Sequence, residues 1–142
     1  MIKTVRHTGI VVKDLKKSIY FYQDLLGFKI TKEAEESGDF IDSVLAFRGI
    51  KVTTVKMVSP GGQMIELLYY HSHLREQKQR EICDIGIAHI ALETDDLNYE
   101  YKRLMEEGIS FNSPPRLSPD NNAKVAFCRA PEGTFVELVE VI

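Results

Sequence analysis

Cysteine is scarce in this sequence, which contains only Cys83 and Cys128. The two cysteines have no CxxC spacing, so they provide neither a disulfide framework nor a thiolate-rich zinc site. So few cysteines suit a reducing compartment, and we therefore expect a cytoplasmic protein. A nucleophilic cysteine is not favoured, because Cys83 lies in a charged segment and Cys128 lies inside a predicted strand.

Long hydrophobic runs are also absent, and the apolar runs present are far too short to span a bilayer. The opening segment, MIKTVRHTGIVV, has no apolar stretch followed by a small-residue cleavage site. We therefore expect neither a membrane protein nor a secreted one. An excess of positive charge is missing as well, since 18 basic residues face 21 acidic ones. Without a basic field, nucleic-acid binding is not predicted.

Several signature motifs of enzymes are missing. The chain has no GxGxxG after a strand, no GxxxxGK[ST], no HExxH and no GxSxG. These absences argue against dinucleotide binding, a P-loop, a zinc protease of the HExxH type and an α/β-hydrolase nucleophile. What remains is a chain with 44% hydrophobic and 27% charged residues, which is typical of a soluble globular protein.

An internal repeat is present in the chain. The segment HTGIVVKDLKKSIYFYQDLLGFKI, which begins at His7, aligns with HIALETDDLNYEYKRLMEEGISF, which begins at His89. Later in each half, PGGQMIELL aligns with PEGTFVELV, so that Glu66 coincides with Glu137. A repeat of this length indicates two copies of one supersecondary unit.

Each half has the pattern of a strand, a helix and then three strands. Apolar and β-branched alternation predicts the strands, and Pro-x-Gly pairs predict the turns before the last strand of each half. We therefore predict an α+β protein with two βαβββ modules, residues 1–70 and 85–142. The charged stretch 71–84 is predicted to be a solvated linker, and the whole chain, 1–142, to form a single domain.

The predicted helices have recognisable ends. Asp14 and Asp96 precede them as N-cap candidates, because a carboxylate there accepts an unpaired backbone N–H. Gly27 and Gly108 follow them and can adopt the left-handed conformation that ends a helix.

The first half contains about eleven extra residues, which we assign to DFIDSVLAFRG at Asp39–Gly49. Phe40, Val44 and Phe47 recur there at helical spacing, with Asp39 as an N-cap and Gly49 as a stop. We expect a short additional helix. The strand that follows the helix in the second half is predicted over ISFNS, residues 109–113.

Four polar residues occupy equivalent strand positions in the two halves: His7, Glu66, His89 and Glu137. A single histidine or glutamate on a strand is usually an ordinary hydrogen-bonded or solvated residue. Duplication in apolar surroundings instead indicates a shared centre, where a divalent cation would compensate the buried carboxylates. Two imidazoles and two carboxylates without thiolate suit Ni, Co, Zn, Mn or Fe, and leave positions open for water or substrate.

Other polar residues are weaker candidates. His71 and His73 in the linker have no repeat partners, so we do not predict that they bind metal. The remaining residues with catalytic potential have no supporting pattern; they are Tyr69, Tyr70, Arg116 and Lys124.

The repeated segments resemble the vicinal oxygen chelate superfamily, which includes glyoxalase I, methylmalonyl-CoA epimerase, extradiol dioxygenases and bleomycin resistance proteins. The resemblance covers nearly the whole chain and depends on the aligned segments quoted above. It implies a glyoxalase-like fold, a curved, incompletely closed mixed β-barrel around a metal site. It also implies that the family's metal ligands are His7, Glu66, His89 and Glu137, and that the protein is a homodimer.

Within this superfamily, the pattern His, Glu, His, Glu is most similar to glyoxalase I and to methylmalonyl-CoA epimerase. The resemblance implies a metal-dependent lyase or isomerase whose carboxylate, Glu137 or Glu66, removes a proton α to a carbonyl. The implied substrate is a small thioester, hemithioacetal or hydroxy-carbonyl compound. Two alternatives stay open: an extradiol-type dioxygenase, and a metal-free small-molecule binding or resistance protein.

Overall fold

The computed structural model describes residues 1–142 and divides them into two compact units, Met1–Gln77 and Lys78–Ile142. Each unit contains one copy of the repeat, and the boundary lies inside the predicted linker 71–84. That the two units form a single domain stays a prediction. None of the helices is long and apolar enough to cross a membrane.

The first unit contains a four-stranded mixed sheet in the order β1-β4-β3-β2. The first strand is parallel to β4, and the other neighbours are antiparallel. Its elements are β1 (Thr8–Val11), α1 (Leu15–Ile19), which continues as a π-helical segment (Tyr20–Leu25), β2 (Lys29–Ser37), α2 (Asp39–Leu45), β3 (Lys51–Val58) and β4 (Met64–Tyr70).

The second unit repeats this topology in the order β5-β8-β7-β6, again with its first and last strands parallel. Its elements are β5 (His89–Glu93), α3 (Leu97–Glu106), β6 (Arg116–Leu117), β7 (Ala123–Arg129) and β8 (Phe135–Val141). The predicted α+β class with two βαβββ modules is therefore confirmed.

The core of each module is formed between its helix and one face of its sheet. In the first module, Val55, Met57 and Leu67 are fully buried together with Phe21 and Tyr22 of the π-helical segment. In the second, Leu97 and Leu104 of α3 and Val136 of β8 are fully buried. Because side chains alternate across a strand, Glu66 and Glu137 lie on the sheet faces opposite Leu67 and Val136.

The predicted helix caps are confirmed. Asp14 accepts a hydrogen bond from the Lys17 N–H at 3.1 Å, and Asp96 accepts one from the Tyr99 N–H at 2.9 Å. Gly27 and Gly108, at the other ends, have φ of 77° and 81°. The sequence predicts these helix ends correctly because capping depends on residues that are close together in the chain.

Replacing Asp96 by Ala is expected to lower the free energy of unfolding by about 1 kcal/mol, because the Tyr99 N–H loses its acceptor. Urea denaturation followed by circular dichroism measures the change. Asp95→Ala is the matched control, since Asp95 is an exposed neighbour outside the cap. Equal midpoints for the two variants would contradict a capping contribution.

The additional helix is confirmed as α2, but two details of its prediction are wrong. Gly38, with φ of 98°, is its N-cap, so Asp39 is the first helical residue and not the cap. The helix ends at Leu45, where Ala46 adopts a left-handed φ of 54°, and so Gly49 is not the stop. The carboxylate of Asp42 holds the loop after the helix, accepting from the Gly49 and Ile50 N–H groups at 2.7 and 2.8 Å.

The residue of α2 that is buried lies outside the helically spaced set Phe40, Val44 and Phe47. Phe40, Val44 and Phe47 are exposed, and Ile41 is the buried residue. Ile41 packs with Ile50 and Val52, against the partly buried Leu68 and Tyr70 of the sheet. When a short helix has apolar residues on two faces, the periodicity of its sequence does not identify the face that packs against the sheet.

The strand predicted over residues 109–113 is confirmed only in part. The segment meets β7 through hydrogen bonds from the Asn112 N–H to the Phe127 carbonyl (2.9 Å) and from the Arg129 N–H to the Ser110 carbonyl (3.2 Å), but it forms no regular strand. Only Phe111 forms a bridge, with Cys128, and the regular strand β6 is shorter and lies later in the chain. Ser113 is followed by Pro114 and Pro115. Proline has no N–H for a strand ladder, so regular pairing with β7 begins only at Arg116.

Candidate functional site

The first module brings His7 and Glu66 together. His7 immediately precedes β1, and Glu66 in β4 is the register partner of Gly9. Because β1 and β4 are parallel neighbours, the start and the end of the module meet here. His7 Nε2 lies 3.0 Å from Glu66 Oε2, with the two side chains 28% and 12% exposed.

The second module brings His89 and Glu137 together in the same way. His89 begins β5, whose residue Ala91 is the register partner of Glu137. His89 Nε2 lies 3.0 Å from Glu137 Oε2. The His89 ring also packs edge-on against Phe127, at 5.2 Å between centroids. Both halves of the predicted constellation are therefore formed as local His–Glu pairs.

The donor chemistry of each pair fits a divalent cation. Two ligand atoms about 2.1 Å from one ion and at right angles would lie about 3.0 Å apart, as the paired nitrogen and oxygen atoms do. In addition, His7 Nδ1 is buried without a hydrogen-bond partner. This is the ring nitrogen that does not face Glu66, so Nε2 is the atom of His7 placed to bind an ion together with Glu66.

Neither pair is a complete metal site by itself. No third His, Cys, Asp or Glu joins the pair within its own module. A four-ligand centre needs both pairs, and its formation stays a prediction. Within a module, the arrangement holds one mostly buried carboxylate against one imidazole.

The two pairs differ in one neighbour that the sequence did not single out. Lys56 of β3 is the register partner of Glu66, and its Nζ lies 3.7 Å from Glu66 Oε1. At the equivalent place in the second module, Phe127 is the register partner of Glu137. Glu66 therefore has a cation beside it, whereas Glu137 has an aromatic ring. The repeat that aligns Glu66 with Glu137 also aligns Lys56 with Phe127. The strand register adds that each of these residues lies directly opposite its glutamate.

The weaker candidates have structural partners away from the His–Glu pairs. His71 forms a 2.7 Å hydrogen bond with Thr53 Oγ1, and the His73 ring packs edge-on against Phe47. Lys124 donates to Glu140 Oε1 at 2.8 Å. Hydrogen bonds from Lys124 and from the Leu97 N–H hold the pKa of Glu140 below its usual value.

Of the two cysteines, Cys128 is unsuited to act as a nucleophile. Cys128 is fully buried, and burial raises the pKa of its thiol to about 12. A thiol with this pKa is almost entirely protonated at neutral pH and reacts poorly. Cys83 is a free, exposed cysteine in the segment between the modules.

Comparison with known proteins is consistent with this geometry. Residues 4–138 match the family model described as Glyoxalase/Bleomycin resistance protein/Dioxygenase superfamily. The chain is 31% identical to the lactoylglutathione lyase of Salmonella typhimurium, covering 94% of this chain and 90% of that protein. It is 23% identical to the mitochondrial methylmalonyl-CoA epimerase of Dictyostelium discoideum, covering 98% of this chain and 79% of that protein.

The fold is similar to that of a solved structure as well. A glyoxalase family protein from Bacillus cereus superposes with a TM-score of 0.90, at 20% identity, and the match covers 100% of this chain and 96% of that one. At this identity the likeness supports the fold alone.

Proposed function

Because the chain belongs to the Glyoxalase/Bleomycin resistance protein/Dioxygenase superfamily, we propose that it is a metal-dependent lyase or isomerase. It would remove a proton α to the carbonyl of a small thioester, hemithioacetal or hydroxy-carbonyl substrate. The observation that carries this proposal is the repeated His–Glu pair, 3.0 Å between ligand atoms in each module.

The proposed metal ligands are His7, Glu66, His89 and Glu137, with Ni, Co, Zn, Mn or Fe as the ion. Two neutral imidazoles and two carboxylates balance a dication to zero charge, which makes the mostly buried carboxylates tolerable. When bound, such an ion polarises a carbonyl and stabilises the negative charge that develops on its oxygen. The two pairs could come from one chain or from both chains of the predicted homodimer.

The protein's own contribution is a carboxylate that accepts the proton. Glu137 is the better candidate, because Lys56 Nζ lies 3.7 Å from Glu66 Oε1 and so competes with a substrate proton for that oxygen. Glu137 has no lysine or arginine in the corresponding place, where Phe127 packs against His89 instead. We therefore assign proton removal to Glu137, and charge balance and ligation to Glu66.

The similarity to relatives supports the substrate class. A lactoylglutathione lyase and a methylmalonyl-CoA epimerase, whose names denote a lyase and an isomerase, both match along nearly the whole chain. The identities of 31% and 23% do not select one substrate. The homodimer and the cytoplasmic location likewise stay predictions.

Exchange of a substrate proton with solvent tests the reaction. In D₂O, the metal-loaded protein is expected to introduce deuterium at the carbon α to the carbonyl of a 2-methyl acyl-CoA or a methylglyoxal–thiol adduct. Proton NMR follows the loss of that signal, and chelator-treated protein is the control. Oxygen uptake with catechols, and no exchange with either substrate, would contradict the proposal and favour an extradiol-type dioxygenase.

A further inference from the structure

A row of three charged residues crosses the first sheet beside His7. Lys32 of β2, Lys56 of β3 and Glu66 of β4 are successive register partners across the three strands. Directly opposed residues project from the same face of a sheet. The face that carries Glu66, here called the Glu66 face, therefore carries two lysines next to one carboxylate.

This row contains a like-charge pair that the fold alone does not require. Lysines opposite each other repel, and one carboxylate can neutralise only one of them. A register shift between Ile30 and Lys32 places Lys32 opposite Lys56. The Lys56 side chain is 27% exposed, so it is partly shielded from water without being buried.

A comparison with the second module shows that Lys56 is not needed to hold a His–Glu pair. There, Phe127 takes the place of Lys56, and His89 and Glu137 still lie 3.0 Å apart. The lysine is therefore specific to one module, as expected of a residue that recognises a ligand.

A second Lys–Glu register pair shows what a structural ion pair looks like in this protein. Lys124 and Glu140 are also direct partners, and their atoms are only 2.8 Å apart. Glu140 additionally accepts the Leu97 N–H and so tethers α3 to its sheet. The Lys56–Glu66 contact, at 3.7 Å, is longer than a hydrogen bond, and the other oxygen of Glu66 faces His7.

We propose that Lys56, with Lys32 beside it, binds an anionic group of the substrate, a carboxylate or a phosphate. This inference rests on the proposed function, because Glu66 must serve as a metal ligand for the lysine to become available. Two histidines and two glutamates with a dication have no net charge, so Lys56 gives the centre one positive charge. A substrate with a permanent anion near its chelating oxygens would complement it.

Binding of matched chelators to the metal-loaded protein tests this assignment. The probes are the hydroxamate of succinate, which carries a free carboxylate, its carboxamide counterpart and phosphonoacetohydroxamate. Isothermal titration calorimetry is expected to show that wild-type protein binds at least one anionic probe about tenfold or more tightly than the carboxamide, as a charge-assisted hydrogen bond would provide. If the succinate hydroxamate binds more tightly than the carboxamide, the anionic group is a carboxylate. If phosphonoacetohydroxamate does so instead, the group is a phosphate.

Four variants separate recognition from stability. Lys56→Met should lose the preference for the anionic probe and keep its affinity for the carboxamide. Lys56→Arg should retain the preference for the anionic probe. Lys32→Met should reduce this preference, and Lys124→Met should leave it unchanged. Two results with metal bound would overturn the inference and leave the proposed function standing. One is a Lys56→Met variant that prefers the anionic probe as strongly as wild type does, and the other is a wild-type protein that shows no such preference. Wild-type protein that retains no divalent metal would overturn both.

Discussion

Glu137→Gln is expected to slow solvent exchange of the substrate proton by a factor of about 10² to 10⁴ at saturating metal, the usual contribution of a positioned base. Glutamine is similar in shape to glutamate and keeps one carbonyl oxygen, but it cannot accept a proton at neutral pH. Deuterium incorporation followed by proton NMR measures the effect.

Glu66→Gln is the matched comparison for this experiment. Glu66 and Glu137 are equivalent in the repeat and form equally short contacts with histidine, but only Glu66 has Lys56 at 3.7 Å. We therefore expect the smaller decrease in exchange for Glu66→Gln when metal is saturating. The reverse order would show that Glu66 is the base and that Lys56 does not prevent proton transfer.

His89→Ala is expected to weaken metal binding at least about a hundredfold. Loss of a residue that only hydrogen-bonds to a metal ligand already lowers metal affinity about 10-fold to 100-fold, and loss of a ligand itself should cost at least as much. Protein purified without chelator should lose most of its divalent ion on dialysis, as measured by elemental analysis. His89 is at the start of β5 and its side chain is 36% exposed, so its removal should leave the core of the second module intact.

His73→Ala is the control for the loss of a histidine. His73 lies in the segment after β4, where its ring packs against Phe47, and it has no glutamate partner. This variant should retain the wild-type metal content, and thermal unfolding should be similar for both variants. A metal-to-protein ratio that is the same in wild type, His89→Ala and His73→Ala would refute the metal centre.

The local features of the fold followed from the sequence alone. Asp14 and Asp96 cap their helices as predicted, since a cap depends on residues only three positions apart. The Pro-x-Gly turns also lie where expected, and Gly62 and Gly133 have φ of 88° and 91°. Such features need no knowledge of distant segments.

Distant segments decided what the sequence left open and what it predicted wrongly. The buried residue of α2 is Ile41, because Ile50 and Val52 are the apolar residues that the helix meets. Phe40 and Val44 are apolar residues of the same helix but are exposed. Likewise, two prolines delay β6, although the residues before them have a strand-like composition.

By itself, the sequence determined that this protein contains two copies of one βαβββ unit and that a His and a Glu recur in each. Duplication makes those positions visible, because chance rarely places both a His and a Glu at matched positions of a repeat. Only the tertiary structure decided that each His meets its Glu at 3.0 Å, since this depends on parallel pairing of strands far apart in the chain. The same long-range register placed Lys56 beside Glu66 and Phe127 beside Glu137, and so made two equivalent carboxylates different.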